Sequence, residues 1–199
     1  MASLIRSITM TNNLKYYADA LLGESVFVPK TPFVESTILS LAEGVYNSPV
    51  NTRQRTMDEV IRDSKNIVIE FAMIEVDPNL IRNPLKFDFK NPHSHAYDVL
   101  DIQTKATFEV KRWRKNTVWF SYPERALSNL LKHIDLVDYV VSGEFVEHND
   151  SYEVKFKMIA DAKSFERYCK KSMYNTKDLY YNHHHAVKAG VCYMSKENV

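Results

Sequence analysis

Glycine and cysteine are scarce in this chain, and no apolar run is long. Of 199 residues only four are Gly (Gly23, Gly44, Gly143 and Gly190), and they stand apart. A Gly-rich phosphate loop of any type is therefore missing, and nucleotide folds that depend on one are excluded. Cys169 and Cys192 are the two cysteines, with no Cys-x-x-Cys and no His-Glu-x-x-His, so neither a disulfide framework nor a zinc ribbon is supported. Two reduced thiols are expected. Charge of one sign is lacking as well: 26 Lys+Arg against 25 Asp+Glu leaves a formal +1. That excludes a uniformly basic nucleic-acid coat and an acidic tail, and any anionic partner must be met by a local patch. Arg6, Asn12, Asn13, Lys15 and Asp19 interrupt the first thirty residues, and no stretch approaches the ~20 apolar residues of a membrane span. A cytoplasmic chain with no membrane partner is the expectation. Its length lets a single domain bury roughly 70% of its unfolded surface without staples.

What is present is a change of hydrophobic period along the chain. Helical spacing governs the first part: Leu14, Tyr17, Ala18, Leu21 and Leu22 up to Gly23, then Val34, Ile38, Leu41, Ala42 and Val45, then Met57, Val60 and Ile61. Ile67 to Val76 suits either a continued helix or a buried strand, and Asp77-Pro78 ends it. Beyond Pro78, Pro84 and Pro92 the period becomes that of strands. Tyr97 to Ile102 and Thr107 to Trp113 read as a hairpin turning at Gln103-Thr104-Lys105, and Thr117 to Tyr122 as a third strand. A helix over Arg125 to Val137 follows, then strands Asp138 to Phe145 and Ser151 to Ile159 around Asn149-Asp150. Residues 161–172 read as helical, and the tail from Tyr174 has no clear period. The expectation is an α/β fold with a mixed sheet, residues 1–83 forming a mainly helical region, 84–172 the core and 173–199 an extension of the same domain.

The chemistry concentrates on the first hairpin. Asp98 and Asp101 lie on one strand, and Glu109-Val110-Lys111 on the next, where period two puts Glu109 and Lys111 on one face. A register that brings Asp98 opposite would converge two carboxylates and an ammonium. Hard carboxylate oxygens and the Val110 carbonyl suit Mg²⁺ or Mn²⁺, which polarises a phosphodiester and lowers the pKa of a bound water. Lys111 would orient or deprotonate that water, or neutralise charge developing on phosphorus.

Over Tyr97 to Phe145 the chain resembles the PD-(D/E)xK nuclease superfamily, the restriction-endonuclease-like fold found in phage and mobile-element nucleases among others. The resemblance implies a mixed β-sheet core flanked by helices and a Mg²⁺-dependent endonuclease acting on DNA. It makes Asp98 the metal-binding aspartate, Glu109 the second carboxylate and Lys111 the catalytic lysine. Tyr97 stands where proline is frequent, and Asp101 competes with Asp98. Many members add a carboxylate from an earlier helix; Glu35, Glu43, Glu59 and Glu70 are the candidates, with Glu35 preferred for its apolar neighbours Phe33, Val34 and Ile38. A homodimer is a further expectation, since one such site cuts one strand.

Lys105, Lys111, Arg112, Arg114 and Lys115 fall within eleven residues around Trp113, and Lys163, Arg167, Lys170 and Lys171 form a second group at helical spacing. Such residues contact phosphates, and equally make solvated faces. A second Glu-Val-Lys, Glu153 to Lys155, lacks a preceding acidic strand and is assigned to a solvent-facing strand. His183-His184-His185 points to a surface or structural role, because consecutive residues diverge around a helix and alternate on a strand. His93-x-His95 has no third ligand. Beside the nuclease stand a non-catalytic protein that binds or mimics nucleic acid, and a viral structural or assembly protein.

Overall fold

The computed structural model describes residues 13–47, 55–83, 96–113, 119–121, 134–171 and 178–196. Helix α1, over residues 13–21, buries Leu14, Tyr17, Ala18 and Leu21, the set that a 3.6-residue period brings to one stripe. Helix α2 (Pro32–Tyr46) opens on Thr31, whose side chain accepts the Val34 amide while Pro32 fills the first helical position. In α3 (Met57–Ser64) Thr56 and Glu59 form a reciprocal capping box. A single 3-10 turn (Lys65–Ile67) leads into α4 (Val68–Val76). The ambiguous segment is thus a helix. Residues Val68 to Met73 are all buried, so α4 is wrapped on every side, and its sequence carries no amphipathic signal.

Seven strands form one sheet: β1 (Val26–Pro29), β2 (Leu80–Arg82), β3 (Val99–Asp101), β4 (Thr107–Arg112), β6 (Tyr139–Glu147), β7 (Ser151–Asp161) and β10 (Cys192–Met194). Their order is β1-β7-β6-β4-β3-β2, with β10 also on β7. Every pairing is antiparallel except that of β4 with β6, which is parallel. Parallel neighbours require a long crossover, here the stretch from residue 113 to 138. The expected helix Arg125 to Val137 falls there and lies outside the described residues save for its last four.

Two expectations are corrected. The strand read at Thr117 to Tyr122 exists as β5 (Trp119–Ser121), but it joins a separate sheet with β8 (Cys169–Lys171) and β9 (Asp178–Tyr181) in the order β5-β9-β8. The strand beside β3 is β2, from the region read as mainly helical. Residues 161–172 are not one helix either: α5 (Ser164–Tyr168) is a short helix that ends where Cys169 turns extended to pair with Tyr181. The tail supplies β9, a helix α6 (His183–Lys188) and β10.

The sheet has a core on each side. Phe108, Tyr139, Val141, Val154, Phe156 and Ile159 pack with α1, α2 and α4. Val140, Met158 and Ala160 face Trp113, Phe165, Tyr181, Ala186 and Cys192. Both cysteines are thiols, and burial pushes that of Cys169 up to about 12. Among the described residues no helix is long and apolar enough to cross a membrane.

Candidate active site

The β3–β4 hairpin gives its two aspartates different work. Asp101 Oδ1 accepts the amides of Gln103 (2.7 Å) and Thr104 (3.0 Å), and its Oδ2 accepts the Tyr17 hydroxyl at 2.5 Å. It is 3% exposed and closes a turn in which Lys105 takes a left-handed conformation, φ 64°. Burial raises the Asp101 pKa, but the bonds from Tyr17, Thr104 and Gln103 outweigh it and hold the carboxyl below its usual value. Asp101 therefore staples the hairpin to α1, and both its oxygens are engaged there.

Asp98 stands where the ladder between β3 and β4 ends. Its amide donates to the Phe108 carbonyl at 2.8 Å, and its Oδ2 accepts the Val110 amide at 2.7 Å. The carboxylate thus takes the place of a main-chain acceptor and is pinned against the middle of Glu109-Val110-Lys111. Because a strand's N–H and C=O groups alternate in direction, the Val110 carbonyl points to the same edge as its amide. From the other side, Asn83 donates its amide to the Asp98 carbonyl and its Nδ2 to the Tyr97 carbonyl, both at 2.9 Å.

Glu109 is 4% exposed, an unusual burial for a carboxylate, and Lys111 Nζ donates to its Oε1. The pair confirms the shared face expected from period two. Phe108 is buried on the opposite face, and Arg112 lies there too, its guanidinium 4.7 Å from the Phe145 ring centre.

Of the helix carboxylates, Glu70 on α4 is 4% exposed and paired with Arg82 Nε at 3.2 Å. Arg82 pairs in register with Val99, the neighbour of Asp98, so this ion pair braces the strand that carries Asp98. Arg82 was not visible as a site residue. Its only signal in sequence was indirect: Glu70 is the one charged residue between Ile67 and Ile74, and a charge in such a run demands a partner. Glu35, the preferred candidate, accepts instead from the Tyr152 hydroxyl at 3.0 Å. Tyr152 is level with Glu147 on β6, whereas Glu109 is level with Val140; seven residues of strand separate the two by about 23 Å. Glu35 is corrected to a partner of β7. Glu43 is exposed, and Glu59 belongs to the α3 cap.

The basic groups are dispersed. Lys105 sits at the hairpin turn, the end of β4 opposite to Arg112, with its Nζ on the Ile102 carbonyl. Arg114 and Lys115 lie outside the described residues, as do His93 and His95. Lys163 precedes α5 and pairs with Asp135 at 3.6 Å, Arg167 lies over the Tyr168 ring, and Lys170 and Lys171 belong to β8, so the expected helical cluster does not form. Trp113 is a core residue, 5% exposed and edge-on to His183. The second tripeptide is peripheral: Glu153 is bound by His148 Nε2 at 3.2 Å with its side chain 34% exposed.

Among the described residues no three His, Cys, Asp or Glu side chains cluster to hold a metal. The hairpin carries two carboxylates, those of Asp98 and Glu109, and the Val110 carbonyl, oxygen groups of the hardness that Mg²⁺ takes. No protein-family model, curated protein or solved structure matches this chain.

Proposed function

We propose that the chain is a Mg²⁺- or Mn²⁺-dependent endonuclease that hydrolyses phosphodiester bonds in DNA, built on a restriction-endonuclease-like core. One observation carries this reading: the Asp98 carboxylate is seated on the Val110 amide, between a buried Glu109 and the Lys111 that binds it. The element order supports it, since α4, β2, β3 and β4 are followed by a crossover to a strand parallel with β4.

Asp98, Glu109 and the Val110 carbonyl would hold the cation. When bound it supplies Lewis acidity at the phosphate and a water of lowered pKa. Glu109, bound by Lys111 in this structure, would turn its carboxylate to the cation, and Lys111, held in the site by its strand, would orient the attacking water and neutralise charge on the phosphate. Glu70 and Arg82 keep the β3 end in place. Because one such site cuts one strand, double-strand cleavage by this chain requires two copies, a homodimer that light scattering would register against the 23.2 kDa of one chain.

Incubation of the purified protein with supercoiled plasmid tests the proposal. Nicking or linearisation with Mg²⁺ and none with EDTA is expected; DNA binding without cleavage under any divalent cation would move the chain to the class of non-catalytic binders.

A further inference from the structure

Strand β6 carries a buried hydroxyl beside the hairpin site. Ser142 is 0% exposed, and its Oγ has no hydrogen-bond partner among the described residues. An alanine in its place would occupy nearly the same space without a desolvated polar atom, so the serine calls for an explanation. Tyr139, Val140 and Val141, which precede it on β6, are buried hydrophobic residues. A local penalty of this kind is expected where a residue serves function.

The sheet register sets that hydroxyl beside the lysine of the site. In the parallel pairing of β4 with β6, Val140 is level with Glu109 and Ser142 with Lys111, and in the antiparallel pairing with β7 Ser142 is level with Met158. Residues level with one another share a face, so Glu109, Lys111, Ser142 and Met158 stand on the side of the sheet that also buries Val140 and Trp113. Neighbouring strands lie about 4.8 Å apart, whereas residues two apart on one strand are separated by about 6.6 Å. A lysine that reaches Glu109 along β4 is therefore long enough to reach Ser142 across the ladder. The other side chains level with Ser142 or next to it on that face of β6 bring no N–H. Val140 and Met158 are apolar, and Glu144 has acceptor oxygens only, one of them bound by Lys157 Nζ at 2.7 Å.

We infer that Ser142 is a positioning residue for Lys111. While Glu109 accepts the ammonium, as in this structure, the hydroxyl is idle. Once the Glu109 carboxylate faces the cation, Ser142 Oγ accepts one N–H of Lys111 and leaves the others for the attacking water and the phosphate. The serine thus fixes the ammonium at the step where its carboxylate partner turns away. This role rests on the nuclease reading, because it needs Glu109 to change partners.

The test compares the full chain with Ser142→Ala and Ser142→Thr. In EDTA, Ser142→Ala is expected to melt at the wild-type temperature or up to about 4 °C above it, since it removes the desolvated polar atom. On supercoiled plasmid with Mg²⁺ the same variant should lose about tenfold in kcat at unchanged KM, and Ser142→Thr, which keeps the hydroxyl, should recover most of that loss. The lysine itself is followed by NMR of the chain carrying isotope-labelled lysine, its Nζ signal assigned by its absence from Lys111→Arg. Addition of Mg²⁺ should leave the wild-type signal sharp and broaden that of Ser142→Ala, whose ammonium protons exchange with water once the hydroxyl is gone. A Ser142→Ala chain that melts several degrees lower in EDTA would make the hydroxyl structural and overturn the inference. A Lys111 signal that answers Mg²⁺ alike in both proteins, with both cutting at one rate, would overturn it too and leave the metal site in place. If Mg²⁺ moves no signal in the wild-type chain and plasmid stays intact, the nuclease reading itself fails and takes the inference with it.

Discussion

The same three residues, Glu-Val-Lys, occur on β4 and on β7, and the fold treats them in opposite ways. On β4 the tripeptide is flanked by the parallel strand β6 and by the end of β3, which delivers Asp98 to its central amide. On β7 it lies between β1 and the outer half of β6, with Glu153 level with Phe27 and Val146, both more than half exposed. The Glu153 carboxyl is held below its usual value by the Ser25 hydroxyl and by His148, groups at the rim. Glu109, by contrast, is buried and bound by a half-buried lysine. A strand tripeptide acquires chemistry from what the neighbouring strand ends on, a property that its own letters do not contain.

Breaking the comparison should give the largest effect in cleavage. Glu109→Ala is expected to lower the plasmid-cutting rate by on the order of a thousandfold through loss of a metal ligand. It should also cost about 2 kcal/mol of stability, because Lys111 loses the buried carboxylate it binds, in denaturant titration. The double change Glu153→Ala with Lys155→Ala should leave both the rate and Tm at wild-type values. Full activity in Glu109→Ala would end the nuclease assignment.

A second contrast separates the two hairpin aspartates by stability. Asp101→Ala leaves the Tyr17 hydroxyl and two turn amides without their acceptor, and a loss of about 2–3 kcal/mol in urea unfolding at pH 7 is expected. Asp98→Asn keeps an acceptor for the Val110 amide and should shift the midpoint little while abolishing cleavage. The pH dependence follows from the lowered Asp101 pKa. A carboxyl whose native pKa lies below its unfolded value of about 3.9 adds stability that is present above that pH and is lost as pH falls through the native value. The wild-type chain should lose this component in acid, and Asp101→Ala should not show it.

The smallest effect is expected at the outer end of β6, where Glu147 accepts from Lys30 at 2.9 Å and Lys65 at 2.6 Å. Lys65 first, and Lys30 after it, lower its pKa, yet its side chain is 38% exposed. Glu147→Gln should cost less than about 1 kcal/mol, and the difference should vanish at high salt, as it would not for Glu109→Ala.

The sequence made some of this legible and hid the rest for identifiable reasons. α1, α2 and α3 announce themselves through apolar spacing and through Thr31, Pro32 and the Thr56–Glu59 pair. α4 does not, since a helix buried all round has no period to read. β1 and β2 span four and three residues, too few for alternation, and exist because β7 and β3 offer open edges. Pro29 is tolerated because β1 is an edge strand. β5 was readable as a strand but not as a member of the second sheet, because its partner β9 lies roughly 60 residues away. At the site, the spacing of Asp98, Glu109 and Lys111 was visible, whereas the choice of Glu70 over Glu35 depended on the direction each helix turns its charge. Both glutamates sit among apolar residues, and local composition does not distinguish them.

The placement of β1 on β7 has a consequence for how the chain is made. Val26 pairs with Val154, a residue that leaves the ribosome roughly 130 positions later, on the order of ten seconds at cellular synthesis rates. Through that interval Val26 and Val28 belong to a strand whose partner does not yet exist, and the sheet that buries Val28 cannot be completed until β7 has emerged. Nascent chains halted before β7 should consequently bind holdase chaperones through this segment, and chains halted after Asp161 has cleared the exit tunnel should not.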